Sequence, residues 1–490
     1  MNTPHVADIT NLVQTKLSKK DIDYITRAFL LAQSAHKNQV RASGEPYFYH
    51  LVETAKHLAR YQMDVQTITA GLLHDIIEDT TTPESYIEEH FGSEMLFMIQ
   101  SVTKLGKIKY RGAERHAESL RKFFLASAKD WRVIMIKLAD RLHNLETLQY
   151  IRPDKQERIA NESIEIYAPL ANRLGIGKLK GEIEDAAFPF VHPKEYEEVK
   201  KILSEKADQN QVNLEKIKAE LEKEFALNRI KVVAVDYRIK HTYSLWKKLR
   251  KHDNNIERIY DLVALRIVVK SVSDCYRVLG IIHQLWHPLP GRIKDYIALP
   301  KPNGYQSLHT TIFTGDGSVA EIQIRTEIMH NRAEFGIASH EEYKKDNENI
   351  REDPKFKWVH EFKNLHKDTP PDAKEYLDHL KVDTFSDRIF VFTPKGDVID
   401  LPEGSSAIDF AYAIHSEIGD RMMQVKINNK IEKIYTKLNS NDIIEVITNK
   451  KSTPTSKWLD FTKTTIARKH INNYLKENSL LQKFLSFGKK

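Results

Sequence analysis

The sequence predicts a chain of several domains, in which an all-α N-terminal half is followed by an α/β domain and then by a small β-grasp module. Apolar residues recur at helical spacing up to about residue 195, and short β-branched segments appear only from about residue 229. A hairpin-like segment follows residue 382. A chain of 490 residues is also too long for one ordinary hydrophobic core.

The N-terminal segments have the periodicity of amphipathic helices. DYITRAFLLAQSAH, VQTITAGLLHDII and WRVIMIKLADRLHNL place apolar residues three or four positions apart. We expect no strand before Arg229. The glycine-containing RLGIGKLKG, Arg173 to Gly181, lacks the spacing and the preceding strand of a phosphate-binding loop, so we interpret it as a turn between helices.

The pattern changes after residue 229. RIKVVAVDYRIK, YDLVALRIVVK and VAEIQIRT are short and β-branched, and they lie among helical segments such as DCYRVLGIIHQLW, which predicts an α/β or α+β domain. Residues 344–382 are charged and contain adjacent prolines, as in a linker with some helix. The hairpin RIFVFTPKGDVIDLP, the helix AIDFAYAIHSEIG and further strands then predict the β-grasp module.

Composition excludes several classes of protein. Hydrophobic residues make up 41% and charged residues 29%, and no apolar run is long enough to span a bilayer. The start of the chain lacks a secretory pattern, and the single Cys275 excludes an intrachain disulfide framework, so we expect a cytoplasmic protein. The last fifty residues hold ten Lys/Arg and four Asp/Glu, a net +6, which fits nucleic-acid contact and a solvated helix face equally well.

An unusual group of acids lies in LLHDIIEDT, Leu72 to Thr80, an otherwise apolar segment. Buried acids are costly unless they are paired, hydrogen-bonded or bound to a metal. On one continuous helix the four polar residues of this segment would share one side. They are His74, Asp75, Glu78 and Asp79.

Two other apolar segments carry matching polar groups. Asp140 and Asn144 are four residues apart in IKLADRLHNL, and His50 follows a Gly/Pro loop. Two histidines and two aspartates suit a divalent transition ion such as Mn²⁺. Glu78 and Asp79 then remain to position or activate water. His50 alone is better explained as a core histidine, but the adjacent His–Asp pair with a distant aspartate favours a metal site.

A second polar cluster lies in PGRIKDYIALPKPNGYQSLHTTIF, Pro290 to Phe313. Its cationic donors for phosphate groups are Arg292, Lys294 and Lys301. The tight turn at Asn303 is expected to expose Tyr305, whose ring could stack on a base. Upstream, YRIKHTYSLWKKLRK suits a triphosphate clamp, although taken alone it is better explained as a basic helix; its polar residues include Arg238, Lys240, Ser244, Lys247 and Lys248.

Two acids accompany this basic cluster. Asp261 opens the strand-like YDLVALRIVV, and in AEIQIRT the side chains of Glu321, Gln323 and Arg325 face away from the isoleucines between them. Two carboxylates on neighbouring strands beside a basic pocket would hold Mg²⁺ for phosphoryl or pyrophosphoryl transfer, although each acid considered singly fits a surface position.

From about residue 20 onward, these motifs together resemble the long RelA/SpoT homologue family of bifunctional alarmone synthetase/hydrolases. RASGEPYFYH, LLHDIIEDT, VTKLGK and KLADRLHNL resemble its HD-type hydrolase domain, and FVFTPKGDVIDLPEGSSAIDFAYAIHSEIG resembles its TGS domain. RIKHTYSLWKK, YDLVALRIVV, GRIKDYIALPKPNGYQSLHTT and EIQIRT resemble its synthetase domain, which implies a nucleotidyltransferase-like mixed sheet. The expected divisions are 1–195 (hydrolase), 196–343 (synthetase), 344–382 (linker), 383–448 (TGS) and 449–490 (basic helical tail).

The resemblance implies two opposed reactions. The synthetase would transfer pyrophosphate from ATP to the 3′-hydroxyl of GDP or GTP, and the hydrolase would remove it from (p)ppGpp. In the hydrolase, the resemblance implies that Glu78 and Asp79 activate water and that Arg41 and Asn144 hold the nucleotide. The implied Mn²⁺ ligands are His50, His74, Asp75 and Asp140.

In the synthetase, the resemblance implies Mg²⁺ at Asp261 and Glu321, with Glu321 also taking the proton of the 3′-hydroxyl and Tyr305 stacking on guanine. The other residues expected around the nucleotides are Arg238, Lys240, Ser244, Lys247, Arg292, Lys294, Asn303, Gln306 and His309. The RIKD sequence that begins at Arg292 has the basic form typical of bifunctional members.

The TGS resemblance implies a partner, uncharged tRNA on the ribosome, contacted through His415, although His415 also fits a helix residue at a domain surface. The chain ends at Lys490, without the later regions of long members, so a form shortened after TGS is expected. Two other hypotheses stay open: a tRNA- and ribosome-binding regulator with a silent catalytic site, and a general HD nucleotide phosphohydrolase.

Overall fold

The computed structural model describes residues 3–103, 123, 126–127, 129–301, 303–314, 319–336 and 388–487, without the side chains of 207–213 and 478–487. The chain forms two compact units, Met1–Pro370 and Pro371–Lys490. The expected linker at 344–382 lies outside the described residues. No described helix is long and apolar enough to cross a membrane.

The first part of the first unit, here called the helical half, consists of helices, as predicted. They are α1 (Ala7–Thr10), α2 (Lys19–Ala35), α3 (Tyr47–Arg60), α4 (Val65–Leu73), α5 (Ile76–Asp79), α6 (Glu84–Phe91), α7 (Ser93–Thr103), α8 (Arg132–Glu146), α9 (Pro153–Glu162), a π-helical turn (Ser163–Tyr167), α10 (Ala168–Arg173) and α11 (Gly177–Val191), with a 3₁₀ turn at Leu148–Tyr150.

Capping, burial and a glycine turn explain how these helices start, pack and end. Ser18 and Asp21 form a capping box at the start of α2, which satisfies backbone N–H groups that have no partner within the helix. α8 is buried along most of its length and brings Asp140 into the interior. α10 ends and α11 begins on either side of Gly175, at φ +78°, so the predicted turn between helices is confirmed.

The second part of the first unit, here called the sheet domain, follows the long helix α12 (Pro193–Leu227), which crosses the boundary expected after residue 195. Its elements are β1 (Val232–Ile239), α13 (Thr242–Lys251), a 3₁₀ turn (Ile256–Arg258), β2 (Val263–Val269), α14 (Val272–Leu285), β3 (Lys294–Asp295), β4 (Leu308–Phe313), β5 (Val319–Thr326) and α15 (Glu327–Phe335). The strand order is β1-β2-β5-β4-β3.

The five-stranded sheet is mixed, as predicted. β2 and β5 run parallel, with Ala264 opposite Glu321, and the other neighbouring strands are antiparallel. One face buries Leu265, Ile322 and Ile324 against α12, α13 and α14. Because side chains alternate along a strand, Glu321 and Gln323 lie on the other face, and Gln323 Nε2 donates to Glu321 Oε1 at 2.9 Å.

The second unit contains the predicted hairpin, β6 (Arg388–Phe392) with β7 (Val398–Pro402), and a sheet of order β10-β8-β9. Its other elements are α16 (Ala407–Ile414), α17 (Ser416–Asp420), β8 (Met422–Ile427), β9 (Lys430–Glu432), β10 (Ile444–Thr448), a 3₁₀ turn (Ser456–Asp460) and α18 (Thr465–Phe487). Ala467 and Ile471 of α18 enter the core of the module, so the start of the basic tail packs on it.

Candidate functional site

The acidic motif of the helical half lies at a break between two helices. α4 ends at Leu73 and α5 begins at Ile76, so the prediction that all four polar residues share one side of a continuous helix is wrong. At the break, His74 Nδ1 lies 2.9 Å from the Gly71 carbonyl oxygen, and Thr103 Oγ1 donates to the His74 carbonyl oxygen at 3.2 Å. These contacts hold the backbone at the break so that the His74 imidazole and the Asp75 carboxylate lie next to each other.

Three separate parts of the helical half bring the predicted ligands together: α3, the α4–α5 break and α8. His50 Nε2 lies 3.3 Å from Asp140 Oδ1 and 3.7 Å from Asp75 Oδ2. His74 Nε2 lies 3.1 Å from Asp75 Oδ2 and 3.9 Å from Asp140 Oδ1. Ligand atoms of the buried His50, His74 and Asp140 all lie within 4.8 Å of one another, so this group could hold a metal ion.

Hydrogen bonds leave the Nε2 atoms of both histidines available to a metal. His50 Nδ1 lies 2.7 Å from His143 Nδ1, which is also 3.0 Å from Arg41 Nη1. Burial, the neighbouring His50 and the Arg41 charge lower the pKa of His143 to about 2, so its Nδ1 is an acceptor and His50 donates from Nδ1. His74 Nδ1 donates to the Gly71 carbonyl, and its Nε2 lies 3.1 Å from Asp75 Oδ2. Although burial opposes it, the Asp75 charge raises the pKa of His74 to about 9, so a metal ion would take the place of the Nε2 proton. These tautomers fit a metal site.

Asp140 is held by charged and polar neighbours of its own helix. Lys137 Nζ donates to Asp140 Oδ2 at 2.7 Å, and Asn144 Nδ2 donates to Asp140 Oδ1 at 2.6 Å. Arg41 Nη2 donates in turn to Asn144 Oδ1 at 2.5 Å. Although burial opposes it, the Lys137 charge and the contacts of both histidines hold the pKa of Asp140 well below its ordinary value. The aspartate is therefore ionised and oriented before any metal binds.

The Lys137–Asp140 pair gives a testable stability prediction. In metal-free protein, Asp140→Asn should lower the free energy of unfolding by about 3 kcal/mol, because it leaves a mostly buried ammonium without its counter-charge. The double variant Lys137→Met/Asp140→Asn should recover most of that loss. Denaturant unfolding of both variants in chelator measures this, and a double variant no more stable than Asp140→Asn would contradict it.

The remaining predicted residues of the helical half surround this centre. A cavity of about 270 Å³ lies beside Asp140, and its lining includes the polar Arg41, Ser43 and Asn144 and the apolar Ile151 and Ile159. This mixture of charged and apolar groups suits a nucleotide. Of the two proposed water-activating acids, Glu78 is half-buried and Asp79 is exposed. Gln39 Nε2 donates to the Asp79 carbonyl oxygen at 2.5 Å, which holds this end of α5.

Sequence reasoning missed three supporting residues. His143 and Lys137 support His50 and Asp140 as described above, and Tyr47 donates its hydroxyl to Asp75 Oδ2 at 2.7 Å. Helical spacing carried a signal for each of them. His143 and Lys137 are three residues from Asp140 on α8, and Tyr47 is three residues before His50, so each shares a helix face with a predicted ligand.

In the sheet domain, Asp261 is the centre of a basic cluster. Lys240 Nζ and Lys248 Nζ each donate to Asp261 Oδ2 at 2.5 Å. Although burial opposes it, the two ammonium groups hold the pKa of Asp261 below its ordinary value. Its other oxygen, Oδ1, is buried and makes no hydrogen bond. An ionised carboxylate with an unsatisfied buried oxygen fits a cation site.

Glu321 lies on β5, the strand next to the one that Asp261 precedes, as predicted. Its Oε1 is 3.2 Å from His309 Nδ1, and His309 Nε2 is 2.8 Å from the Tyr305 hydroxyl. Although burial opposes it, the His309 contact holds the pKa of Glu321 below its ordinary value. Tyr305 is only partly exposed, because Tyr296 and His309 make edge contacts with its ring, so the prediction of an exposed ring is wrong.

The other predicted residues of the sheet domain divide into two groups. Some face the acids: Arg238 Nη1 donates to Gln323 Oε1 at 3.4 Å, and Lys294 lies opposite His309 in the sheet register. Others have different contacts. Ser244 Oγ and Lys247 Nζ lie 3.5 and 3.7 Å from Glu184 of α11. Arg292 lies over the Tyr260 ring, Asn303 Oδ1 accepts from the Tyr305 N–H, and Gln306 Nε2 donates to the Ile297 carbonyl.

His415 of the second unit lies where the predicted helix breaks. α16 ends at Ile414, and His415 adopts an extended backbone and accepts from the Glu417 N–H at 3.2 Å, which caps α17. The expectation of one continuous helix through AIDFAYAIHSEIG is therefore wrong. His415 remains exposed.

Comparisons with known proteins agree with this three-part organisation. The chain matches the families described as HD domain over residues 28–177, region found in RelA / SpoT proteins over 237–348, and TGS domain over 389–448. Solved structures include the small alarmone synthetase 2 of Bacillus subtilis, 25% identical, with a TM-score of 0.24 over 33% of this chain and 98% of that one. Because that TM-score is low, the family assignment rests on the sequence relatives.

Those relatives match almost the whole chain. A guanosine-3′,5′-bis(diphosphate) 3′-pyrophosphohydrolase of Aquifex aeolicus is 44% identical over 95% of this chain and 66% of its own length. A GTP pyrophosphokinase of Myxococcus xanthus is 42% identical over 96% of this chain and 62% of its own. The bifunctional (p)ppGpp synthase/hydrolase SpoT of Escherichia coli K12 is 39% identical over 96% of this chain and 67% of its own. The chain thus spans about two thirds of the length of these relatives, and it belongs to the RelA/SpoT family.

Proposed function

We propose that this chain is a bifunctional alarmone enzyme that makes (p)ppGpp from ATP and GDP or GTP in the sheet domain and hydrolyses it in the helical half. The observation that carries the proposal is the presence, in one compact unit, of two separate acidic sites of different chemistry. One has two histidines and two aspartates around a common point. The other has Asp261 and Glu321 at neighbouring strands among lysines and arginines.

For hydrolysis, His50, His74, Asp75 and Asp140 would hold Mn²⁺. When bound, the ion would act as a Lewis acid and stabilise negative charge on the phosphate oxygens. Glu78 and Asp79 accept the proton of the attacking water, and Arg41 and Asn144 orient the nucleotide in the adjoining cavity. Water adds to the phosphorus next to the 3′-oxygen, and the bond between them breaks. The proton taken from water passes to the 3′-oxygen, so that GDP or GTP with a free 3′-hydroxyl and pyrophosphate are released.

For synthesis, Asp261 and Glu321 would hold Mg²⁺, which would neutralise charge on the transferred group. Glu321 takes the proton of the 3′-hydroxyl, whose oxygen attacks the β-phosphorus of ATP while AMP leaves. Tyr305 supports the guanine. The residues proposed to line the phosphates are Arg238, Lys240, Ser244, Lys247, Lys294 and His309, with Lys248 beside Asp261.

Two incubations of the purified chain test this proposal. With ppGpp labelled in the 3′-pyrophosphate, pyrophosphate release should require Mn²⁺. With ATP, GDP and Mg²⁺, AMP and ppGpp should appear in equal amounts. Absence of both reactions from folded, metal-loaded protein would reject the proposal, and tRNA binding without turnover would favour a regulator with silent sites. Equal cleavage of 5′-triphosphates would favour a general phosphohydrolase.

The lowered pKa of Lys301 predicts how nucleotide binding by the sheet domain depends on pH. Burial and the positive charges of Lys294 and Arg238 lower the pKa of Lys301 to about 8. The Lys301 side chain is therefore mostly charged below pH 8, and it loses its proton and its charge as the pH rises through that value. We expect the KM for nucleotide in synthesis to rise about tenfold between pH 7 and pH 9. Lys301→Arg, which stays charged, should make this rise smaller, and the remainder should come from Lys240, whose pKa burial also lowers to about 8. A rise in the variant as large as in wild type would contradict the assignment to Lys301.

We also propose uncharged tRNA as the partner of the second unit. Tyr435 and Phe461 are both exposed and stack at 4.8 Å, with the Lys433 ammonium 5.7 Å from the Tyr435 ring. Exposed aromatic rings beside lysines suit unpaired bases. Tyr435→Ala/Phe461→Ala should weaken tRNA binding roughly tenfold in a filter assay, since base stacking contributes about 1–3 kcal/mol per base. Tyr86→Ala removes an exposed ring from the helical half and should leave tRNA binding unchanged. Equal weakening by both variants would reject this surface.

A further inference from the structure

The N-terminus of α13 is capped by a residue of the helical half. His241, at the N-cap position, makes no side-chain capping bond of its own. Instead, Asp185 Oδ1 of α11 accepts from the Tyr243 N–H at 2.9 Å and from Thr242 Oγ1 at 2.7 Å, and Asp185 Oδ2 lies 2.8 Å from His241 Nδ1. The first N–H groups of a helix have no partner within it. The Asp185 carboxylate therefore provides the hydrogen-bond acceptor that an N-cap side chain would otherwise provide.

The close approach of the two elements is built into the backbone. A Cβ atom at Gly181 would lie 2.2 Å from the His241 ring, so any other residue there would force the ring or the helix to move. One helical turn after Gly181, Asp185 has its charge near the positive end of the α13 dipole. Although burial raises it, the hydrogen bonds from His241 and Tyr243 hold the pKa of Asp185 below its ordinary value. The cap is therefore an ionised carboxylate.

α13 is the helix on which several proposed phosphate-binding residues lie. Ser244 is in its first turn, and Lys247 and Lys248 are in the next. Lys248 Nζ donates to Asp261 Oδ2 at 2.5 Å, so the position of α13 also determines a contact of the proposed Mg²⁺ ligand. If the first turn unwinds, Ser244 and the lysines lose the geometry that a triphosphate would require.

We propose that Asp185 is a positioning residue for pyrophosphoryl transfer: a residue of the helical half that holds α13 in the conformation that binds the ATP phosphates. It does not touch the nucleotide and acts only through α13. This inference rests on the proposed synthetase function. It also implies that the sheet domain depends on α11 to complete its phosphate-binding helix.

The test measures the KM and kcat of synthesis with ATP as the varied substrate. Asp185→Ala should raise the KM for ATP about tenfold, the fold-change that corresponds to the ~1.4 kcal/mol typical of a lost helix cap, with kcat changed less than twofold. Asp185→Asn, whose amide oxygen can still accept from the Tyr243 N–H, should stay within threefold of wild type. Thr242→Val, which leaves the helical half intact, should raise the KM two- to threefold.

Controls separate this inference from the proposed function. Asp154→Ala removes an exposed carboxylate from the helical half and should alter neither reaction. Absence of AMP formation in wild type would reject the synthetase function itself. With wild type active, a KM for ATP within twofold of normal in Asp185→Ala, or a fall in kcat alone, would overturn the inference. If Asp185→Ala is unfolded and Thr242→Val has a normal KM, the inference is likewise rejected.

Discussion

Asp75→Ala is expected to reduce Mn²⁺-dependent pyrophosphate release from ppGpp on the order of 10³-fold or more, while synthesis from ATP and GDP is retained. Asp75 Oδ2 lies 3.1 Å from His74 Nε2 and 3.7 Å from His50 Nε2, so its loss removes a carboxylate that lies within 4 Å of both imidazoles. No described contact joins Asp75 to the sheet domain, so the synthesis reaction should persist. Release of labelled pyrophosphate and formation of AMP, measured on the same preparation, check both expectations.

The matched control is Asp23→Ala, which removes an exposed carboxylate from α2 with the same change of charge. It should leave both reactions unchanged. Direct titration of Mn²⁺ into the two variants adds a readout that does not depend on turnover, and only Asp75→Ala should bind the ion more weakly. Undiminished hydrolysis in Asp75→Ala would show that Asp75 is not a required ligand of the metal centre.

Asp261→Asn is expected to abolish synthesis, again on the order of 10³-fold, and to leave hydrolysis intact. The substitution keeps the shape of the side chain but removes the charge that faces Lys240 and Lys248. It also removes the carboxylate with a buried, unsatisfied oxygen. We expect little loss of stability, because Lys240 already has a pKa lowered to about 8 by burial and can lose its proton when its partner is removed.

Glu257→Gln is the matched control, because Glu257 is an exposed acid of the sheet domain whose only described ion pair is with Lys206. Its synthesis and hydrolysis should equal those of wild type. AMP formation and pyrophosphate release report the two reactions separately. If Asp261→Asn lost both activities while its thermal unfolding stayed normal, the two sites would not be independent.

Much of the fold could be predicted from local pattern. Helical periodicity was sufficient for the helical half, and β-branched segments identified β1, β2 and β5. Predictions of continuous helices were wrong at His74 and at His415, where side chains bond to nearby main-chain groups and end the regular hydrogen bonding. Those bonds depend on local conformation, which periodicity does not encode.

The sequence by itself determined which residue types are available: the imidazoles and carboxylates of a metal centre, the acids and lysines of a phosphate site, and the order of the parts. Only the tertiary structure decided which of them meet. His143 supports His50 across 93 residues of sequence, and Asp185 caps a helix whose Tyr243 is 58 residues away. Helix packing sets such contacts, because it fixes where the ends and faces of elements lie relative to each other, and no spacing rule along the chain describes that geometry.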